Sequence, residues 1–343
     1  MPDSTDFVST EVTFSGDPVA LRPVDEIRIT TLVDNVYDGL LEDGPFTTRE
    51  TFGRASEPSP QFEGGRTEVG LLGEHGFSSL VTVRRGTEET TLLFDTGLAP
   101  RTMVTNAERL GVDLHAVTGV VLSHGHFDHT GGLAGLLDLL DRRRLPVLVH
   151  PSVWTRRRTT APGQAVFELP TLSKTALADE GCAVIERRDP SLLADDCVLI
   201  TGEVPRTTEF EKGMPPFHQA WVDGAWHHDP AVIDDQALVV NLRGQGLVVL
   251  TGCGHAGVLN IVKHAQRLTG VERLHALVGG LHLGGRSFEP TIAPTVAALA
   301  ALSPTLVAPG HCTGWRAQQA LATAFPAAWV PSSSGSTHRL VGA

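Results

Sequence analysis

Short runs of alternating hydrophobic and polar residues recur in the chain and predict β-strands. Residues 27–33, Ile-Arg-Ile-Thr-Thr-Leu-Val, follow this pattern. Residues 79–83 and 91–95 flank a polar turn, which is typical of a β-hairpin. Residues 237–241 and 246–251 predict a second hairpin in the later part of the chain.

After each hairpin the pattern changes to strands that alternate with helices. The predicted strands cover residues 117–122, 147–150, 276–278 and 305–308. The predicted helices cover residues 105–110, 131–140, 258–268, 294–302 and 315–324. Because this succession occurs twice, we expect an α/β fold with two mixed β-sheets packed face to face and helices outside.

Some regions lack this regularity. Residues 1–26 contain many Ser, Thr, Asp and Pro, and we interpret them as an N-terminal arm that is either loose or an edge strand. Residues 41–66 predict a long surface loop. Residues 27–343 then form a single domain, in which residues 151–235 are an irregular insertion or cap.

Composition narrows the possible partners. The chain has 343 residues, of which 41% are hydrophobic, and a net charge of −12, which argues against a nucleic-acid surface. Its four cysteines form no C-x-x-C pair, and it shows neither a signal peptide nor an apolar run long enough to span a membrane. We expect a cytoplasmic protein that acts on a small molecule without a membrane or nucleic-acid partner. A homo-oligomer is compatible with the sequence.

Metal-binding side chains are concentrated directly after the predicted strand 117–122. His124 and His126 are two residues apart in extended backbone, so both imidazoles point the same way and can reach one ion. Asp128 and His129 follow on a turn and can serve a neighbouring ion. Imidazole and carboxylate ligands suit zinc, manganese or iron, so the run predicts a metal site.

This run resembles the signature of the metallo-β-lactamase-fold superfamily. Two other motifs match that family: Phe94-Asp95-Thr96-Gly97 and Pro309-Gly310-His311-Cys312-Thr313-Gly314. The resemblance covers most of residues 27–325. It implies an αββα sandwich with a dinuclear site between the sheets, most often holding two zinc ions, and it implies that Asp95 supports the ligands.

A narrower resemblance points to the subgroup related to the archaeal dihydropterin–ribofuranosylaminobenzene phosphate synthase. Its motifs are Leu32-Val33-Asp34-Asn35, Glu74-His75-Gly76-Phe77-Ser78, Thr201-Gly202-Glu203-Val204-Pro205-Arg206, Gly252-Cys253-Gly254-His255-Ala256-Gly257 and Gly279-Gly280-Leu281-His282-Leu283. Many bacterial members are predicted metal hydrolases, so this likeness defines the architecture better than the substrate.

The chain departs from the wider superfamily in two motifs. Its middle His motif is replaced by residues 201–206, which contain Glu203, and Cys253 stands where the bridging Asp is usual. We assign His124, His126 and His255 to one ion, and Asp128, His129 and His311 to the other. Glu203 and Cys253 are reserve ligands, and a single ion remains an alternative to two.

Further residues have weaker assignments. His282 is a candidate for proton transfer, with a buried structural histidine as the equal alternative. Glu74, His75 and Arg206 are candidates for substrate binding. The structural alternative is a turn for Glu74 and His75 and a surface ion pair for Arg206. Cys312 is expected to pack beside the ligand His311 rather than act as a nucleophile.

Two other patterns have a plainer interpretation. Residues 252–257 match G-x-G-x-x-G, but the central His argues against dinucleotide binding. Free N–H groups at the start of helix 258–268 remain candidates to bind a substrate anion. A second metal site is one interpretation of His218, His227 and His228, but an exposed loop is the favoured one.

The function implied is hydrolysis by a metal-bound hydroxide, with a phosphate ester or diester as the first substrate class. Asp128 would hold the water and His282 would protonate the leaving group. Two alternatives remain open. One is a pterin-type transferase that releases pyrophosphate, and the other is a non-catalytic protein that binds a metal or ligand.

Overall fold

The computed structural model describes residues 7–12, 17–53, 55–141 and 144–343. The strands of these residues are β1 Val8–Glu11, β2 Glu26–Val33, β3 Thr47–Thr48, β4 Ser56–Pro58, β5 Arg66–Glu68, β6 Ser78–Arg85, β7 Glu88–Phe94, β8 Val117–Val121, β9 Pro146–Val149, β10 Arg157–Thr159, β11 Phe167–Glu168, β12 Ala183–Glu186, β13 Ser191–Leu193, β14 Val198–Ile200, β15 His218–Val222, β16 Ala225–His228, β17 Ala237–Leu242, β18 Gly246–Thr251, β19 Leu274–Gly280, β20 Leu306–Gly310 and β21 Thr337–Val341.

The α-helices are α1 Thr102–Leu110, α2 Phe127–Thr130, α3 Leu133–Leu139, α4 Lys174–Asp179, α5 Val258–Thr269, α6 Glu289–Leu302 and α7 Trp315–Ala324. Short 3-10 helices lie at Leu114–Ala116, Pro151–Trp154 and His311–Thr313. No helix in the described ranges combines the length and the apolar character needed to cross a bilayer.

Two large mixed sheets form the centre of the fold. The first has the strand order β12-β9-β8-β7-β6-β2-β21-β3, with parallel pairing from β12 to β7. The second has the order β1-β13-β14-β17-β18-β19-β20, with parallel pairing from β18 to β20. Each sheet therefore contains a hairpin region and a parallel region, as the twofold succession of elements predicts.

Side-chain alternation packs the two sheets face to face. In β17, Leu238 and Val240 belong to the core between the sheets, while Val239 belongs to the core beneath α5, α6 and α7. In β7, Phe94 points into the sandwich and Leu93 points towards α1 and α3. Successive residues of a strand point to opposite faces, so each strand serves two cores. The predicted αββα sandwich is confirmed.

The region 151–235 is divided between several parts of the fold. Its strands β12, β13 and β14 belong to the large sheets. Its strands β10, β11, β15 and β16 form a separate four-stranded sheet, here called the outer sheet, with the order β11-β10-β15-β16. The described part of the predicted arm includes β1, which lies at the edge of the second large sheet beside β13.

Most predicted elements lie within one to three residues of their predicted positions, and the exceptions have local causes. Helix α6 begins at Glu289, upstream of the predicted 294–302, because Pro290 is accommodated in its first turn. The predicted loop 41–66 contains the short strands β3 and β4. Strand β21, which was not predicted, pairs with β2 and buries His338 and Leu340.

Candidate metal centre

The ends of parallel strands from both large sheets meet at one edge of the sandwich. In the first sheet, Asp95 follows β7 and the run 124–129 follows β8. In the second sheet, residues 253–255 follow β18, His282 follows β19 and His311 follows β20. Ligand sites of α/β proteins commonly lie outside the carboxyl ends of parallel strands. The fold thus gathers side chains that are far apart in sequence, such as His129 and His311, which are 182 positions apart.

One group of ligands consists only of histidines, and we call His124, His126 and His255 the imidazole set. Their ligand atoms all lie within 4.8 Å of one another, and all three side chains are buried. The Nε2 atoms of His124 and His255 are 3.2 Å apart. The structure therefore brings together the three residues that the sequence assigned to one ion.

A second group contains a carboxylate, and we call Asp128, His129 and His311 the carboxylate set. Their ligand atoms also lie within 4.8 Å of one another. The Nε2 atoms of His129 and His311 are 3.1 Å apart, and Asp128 Oδ2 lies 3.3 Å from His311 Nε2. These are the residues that the sequence assigned to the other ion.

Asp95 connects the two sets and is fully buried. Its Oδ2 accepts hydrogen bonds from Ser123 Oγ and from His129 Nδ1, each at 2.7 Å. Because the Ser123 proton is used on Asp95, Ser123 Oγ accepts the 2.9 Å bond from His124 Nδ1. Asp95 therefore orients one imidazole directly and another through Ser123, which is the supporting role that the resemblance implies.

Asp34 and Asn35 hold His311 from the opposite side. Asp34 Oδ1 accepts a 2.8 Å hydrogen bond from the backbone N–H of His311. Asn35 Nδ2 donates to the His311 carbonyl at 3.1 Å, and Asn35 Oδ1 accepts from His311 Nδ1 at 3.2 Å. The sequence marked these residues only as part of a motif, since nothing local links them to His311.

The donor set fits a divalent cation. When both rings are neutral, His129 and His311 carry their proton on Nδ1, so two Nε2 lone pairs and a carboxylate oxygen face each other. In the imidazole set, His255 Nδ1 is buried without a partner. Nitrogen ligands of tetrahedral zinc at about 2.0–2.1 Å lie about 3.3 Å apart, close to the Nε2 separations in both sets.

Electrostatics differ between the sets. Burial, with the charges of neighbouring His and Arg residues, lowers the pKa values of His124 and His255 well below 6.5, which keeps their lone pairs free. Burial would also lower the pKa of His129, but Asp128 and Asp95 outweigh it and raise that pKa to about 9. The carboxylate set therefore attracts a cation strongly enough to keep a proton when no metal competes.

The backbone is unusual at three of these strand ends. Asp95, His282 and His311 have φ angles of 58°, 46° and 47°, a left-handed region that costs free energy for residues other than glycine. Gly132 is required nearby, because a Cβ there would lie 1.9 Å from the carbonyl oxygen of Thr96. Only a glycine at this position allows the chain to approach so closely behind Asp128 and His129.

The cysteines lie between the two sets. The Cys253 sulfur is within 4.8 Å of the ligand atoms of His124 and His129, one from each set. Burial raises the pKa of the Cys253 thiol well above its usual range. The Cys312 thiol donates to the Cys253 carbonyl at 3.3 Å. Cys253 is thus close enough to serve as a reserve ligand, and the Cys312 sulfur lies within 4.8 Å of the Cys253 sulfur and of a ring nitrogen of His311.

Two predicted site residues, both carboxylates, have partners elsewhere in the fold. Glu203 pairs with Arg188 at 3.1 Å and lies 3.6 Å from His150, outside both sets. Glu74 accepts hydrogen bonds from Leu98 N, Ala99 N and Thr102 Oγ1 at the start of α1. These contacts favour structural roles for the two carboxylates.

Arg206 is also engaged in the fold. Its Nη1 donates to the His255 carbonyl at 2.8 Å, and burial lowers the pKa of its guanidinium. Because the donor points at the backbone of a ligand loop, Arg206 supports the position of His255. This contact favours a supporting role over direct binding of a substrate anion.

His75 and His282 lie at the edges of the site. His75 is largely exposed, and its Nε2 is 3.7 Å from Asp128 Oδ2. Asn35 Nδ2 lies 3.3 Å from His75 Nδ1, which then accepts and leaves the proton of the neutral ring on Nε2. The ring of His282 contacts those of His255 and Phe288, with centroids 4.1 and 4.7 Å apart.

A cavity of about 570 Å³ opens beside the imidazole set. Its walls are mainly apolar and aromatic, with Lys212 exposed at the rim, and they include Phe210, His255, Leu281, His282, Leu283 and Phe288. The expectation of free N–H groups at the start of α5 is wrong. Glu211 accepts from Leu259 N at 2.8 Å and from Asn260 N at 2.9 Å, so a protein carboxylate already occupies that position.

His218 is the residue that the sequence interpretation placed wrongly. It lies in β15 of the outer sheet, is only 4% exposed, and has its Nε2 3.3 Å from His126 Nε2. His227 and His228, in the neighbouring strand, are exposed as expected. The alternation in β15 could have indicated that His218 points inward, because His218 and Ala220 lie on the same face of the strand.

Comparison with known proteins identifies the fold family. Residues 73–193 match the family model of the metallo-beta-lactamase superfamily. The crystal structure of Tm1679, a metal-dependent hydrolase of the β-lactamase superfamily, superposes with a TM-score of 0.65 at 25% identity, covering 92% of this chain and 98% of that one. This chain is a metallo-β-lactamase-fold protein.

Two curated relatives from Methanocaldococcus jannaschii support the narrower likeness. A 7,8-dihydropterin-6-methyl-4-(β-D-ribofuranosyl)-aminobenzene-5'-phosphate synthase is 29% identical over 71% of this chain and 83% of its own length. The uncharacterized protein MJ0448 is 28% identical over 72% of this chain and 87% of its own length. The resemblance predicted from the sequence motifs is confirmed. Within the metallo-β-lactamase fold, this chain carries His, Asp and Cys clusters suited to divalent metals.

Proposed function

We propose that this metallo-β-lactamase-fold protein is a metal-dependent hydrolase of a small anionic ester, with a phosphate ester or diester as the first substrate class. The observation that carries the proposal is that two ligand sets lie next to each other, and that His255 and His282 line a cavity beside them. Two divalent ions, zinc first and manganese or iron as alternatives, would occupy the sets.

The ions would supply Lewis acidity to the substrate oxygen and activate water for attack. Asp128 is suited to orient that water, because its Oδ2 lies 3.3 Å from His311 Nε2 and 3.7 Å from His129 Nε2, at the centre of the carboxylate set. His75 is suited to donate a hydrogen bond to a substrate at the edge of the site, since its Nε2–H lies 3.7 Å from Asp128 and its side chain is exposed. We assign leaving-group protonation to His282, which lines the cavity.

The cavity supports a substrate with two chemically different parts. Phe210, Phe288 and Leu283 suit an apolar or ring-shaped portion, while the anionic ester would face the ions. Lys212 at the rim is the cation in this wall that can meet a second negative charge. Because Arg206 and the start of α5 are engaged elsewhere, we assign most of the anion binding to the ions themselves.

A test begins with purified protein that has been loaded with zinc or manganese. We expect about two ions per chain by elemental analysis and turnover of some members of a panel of phosphate monoesters, phosphodiesters, lactones and thioesters. A protein with well under one ion per chain and no turnover across the panel would be a non-catalytic binding protein, and the proposal would fail.

The role of His282 has a sharper test. His282→Gln should lower kcat more for alkyl esters, whose leaving groups need a proton, than for nitrophenyl esters, whose leaving groups do not. His275→Gln is the matched control, because His275 is a buried histidine in β19, the strand that precedes His282, and lies away from the site. Equal losses on both ester types would remove His282 from proton transfer.

A second candidate is transfer with release of pyrophosphate. It is favoured by the likeness to an archaeal protein named as a synthase over 83% of that protein's length. The same ligand sets would then face the leaving diphosphate of a pterin-like substrate. Pyrophosphate released only when an amine acceptor is added would favour transfer, whereas release without an acceptor would favour hydrolysis.

A further inference from the structure

Two consecutive aspartates, Asp234 and Asp235, lie just before β17, at the edge of the sandwich where the ligand loops meet. Both side chains are almost completely buried. Among the described residues, neither carboxylate belongs to a group of side chains close enough together to hold an ion. Because a buried carboxylate is costly unless it is hydrogen-bonded or paired, the partners of these two side chains indicate what they stabilise.

Asp234 holds the first ligand loop. Its Oδ2 accepts a 2.8 Å hydrogen bond from the backbone N–H of Gly125, the residue between the ligands His124 and His126. Arg157 of the outer sheet donates to the same oxygen at 3.3 Å and compensates its charge. The backbone between two ligands of the imidazole set is therefore fixed by a paired, buried carboxylate.

Asp235 holds the second ligand loop. Its Oδ2 accepts a 2.8 Å hydrogen bond from the backbone N–H of Ala256, the residue after His255. The carbonyl oxygen of His255, in the same peptide group, accepts the 2.8 Å bond from Arg206. Because a peptide group is planar, bonds at both of its polar atoms fix its orientation and the position of the His255 backbone.

Gln236, the next residue, ties this segment to the end of β8. Its backbone N–H donates to the Ser123 carbonyl and its Nε2 donates to the Leu122 carbonyl, each at 2.9 Å. Residues 234–236 therefore bond to strand ends of both large sheets. Since adjacent Cα atoms are about 3.8 Å apart, the segment is a spacer of fixed length between the two ligand loops.

We propose that Asp234 and Asp235 are positioning residues that set the distance between His255 and the pair His124 and His126. The imidazole set draws its ligands from both sheets, so its fit to an ion depends on this distance. A functional site needs its groups held within about 0.5 Å, and one added C–C bond is about 1.5 Å long. Side-chain length at these positions is therefore decisive. This inference rests on the proposed metal centre.

The test is a cobalt titration of the metal-free protein, followed by the visible absorption of the bound cobalt. His255→Ala, which removes a ligand, identifies the phase that belongs to the imidazole set. Asp235→Glu keeps the charge but lengthens the side chain, so it should weaken that phase about 10–100-fold and change its absorption. Asp235→Asn keeps the length and an oxygen acceptor, so it should remain closer to the wild type.

Glu26→Asp is the matched control, because it also changes a buried carboxylate by one methylene group. Glu26 begins β2, at the opposite end of that strand from the site, and pairs with Arg84 and Arg339. The control variant should lose thermal stability without changing the cobalt affinity or the absorption of either phase. A similar loss of stability in Asp235→Glu then cannot account for a change confined to the imidazole set.

The outcomes separate the two proposals. If the wild-type protein binds no cobalt, the proposed metal centre fails. If it binds cobalt and Asp235→Glu behaves like Glu26→Asp, Asp235 only stabilises the fold and the positioning role is wrong. Retention of the imidazole phase in Asp235→Glu and its loss in Asp235→Asn would also overturn the proposal, because charge would then matter more than length.

A further variant covers the case in which Asp235→Glu does not fold, as judged by circular dichroism. Asp235→Ala removes the acceptor of the Ala256 N–H bond without adding bulk. It should lose the imidazole phase while Asp235→Asn keeps it. Equal cobalt affinity in these two variants would contradict the positioning role.

Discussion

The carboxylate set and the imidazole set are neighbours, yet they are built differently. In the carboxylate set, the Nδ1 atoms of His129 and His311 are bonded to side-chain acceptors, Asp95 and Asn35, and Asp128 adds a negative charge. In the imidazole set, His124 is bonded to a hydroxyl and His255 Nδ1 has no partner. A pre-oriented, negatively charged set should bind a dication more tightly, so the two ions should differ in affinity.

The largest effect is expected when the negative charge of the carboxylate set is removed. In Asp128→Ala we expect the loss of about one ion per chain and a fall in turnover of at least about a thousand-fold, since the ion supplies several kcal/mol of stabilisation. Elemental analysis and initial rates measure both effects. Retention of both ions would show that charge does not distinguish the sets.

A smaller effect is expected from the residue that supports both sets. Asp95→Asn keeps the size of the side chain but weakens its bonds to Ser123 and His129, so ion affinity should fall about 10–100-fold. Isothermal titration measures the affinity. Asp113→Asn, which alters an exposed Asp–His pair far from the site, is the control and should leave it unchanged. Equal behaviour of the two variants would contradict the supporting role of Asp95.

The raised pKa of His129 gives a third prediction, for the metal-free protein. Since its pKa is about 9 in the folded chain and 6.5 is the ordinary value, the protonated ring stabilises the fold fully below pH 6.5. This contribution, roughly 3 kcal/mol, should disappear as the pH rises through 9. Urea unfolding measures it, and metal-free His129→Gln should lack the dependence. An identical pH profile in that variant would contradict the assignment.

The smallest effect is expected outside both sets. Because Glu203 pairs with Arg188, Glu203→Gln should keep its metal content and change ion affinity by less than about two-fold, as for other exposed ion pairs. Isothermal titration measures the ion affinity of this variant. The loss of an ion would restore Glu203 as a ligand.

Local patterns in the sequence predicted two packed mixed sheets and the first ligand run, whereas the family resemblance supplied the αββα arrangement and the partners His255 and His311. The run from His124 to His129 follows a strand of β-branched residues, and residues two apart on extended backbone share a face, so short-range geometry was enough. His218 could not be placed in this way. Its position depends on β15 pairing with β10, a contact between segments about 60 residues apart within an irregular region.

The same limit applies to charged side chains with structural partners. Glu211 caps α5 from an upstream loop, and Arg206 reaches a carbonyl 49 residues away. Charge and residue type made both the helix start and Arg206 candidates for anion binding, because sequence does not reveal which donors are already satisfied. Strand β21 was missed for a related reason, since only its pairing with β2 explains its burial.

The wide spacing of the ligands along the chain has a consequence for biosynthesis. A ribosome adds about 5–20 residues per second, so roughly 10–40 s separate the synthesis of His129 from that of its partner His311, 182 positions later. During this interval the first ligand run is present without the partners that enclose it. Metal capture in the finished geometry therefore belongs to a late stage of maturation, after the second sheet has been made.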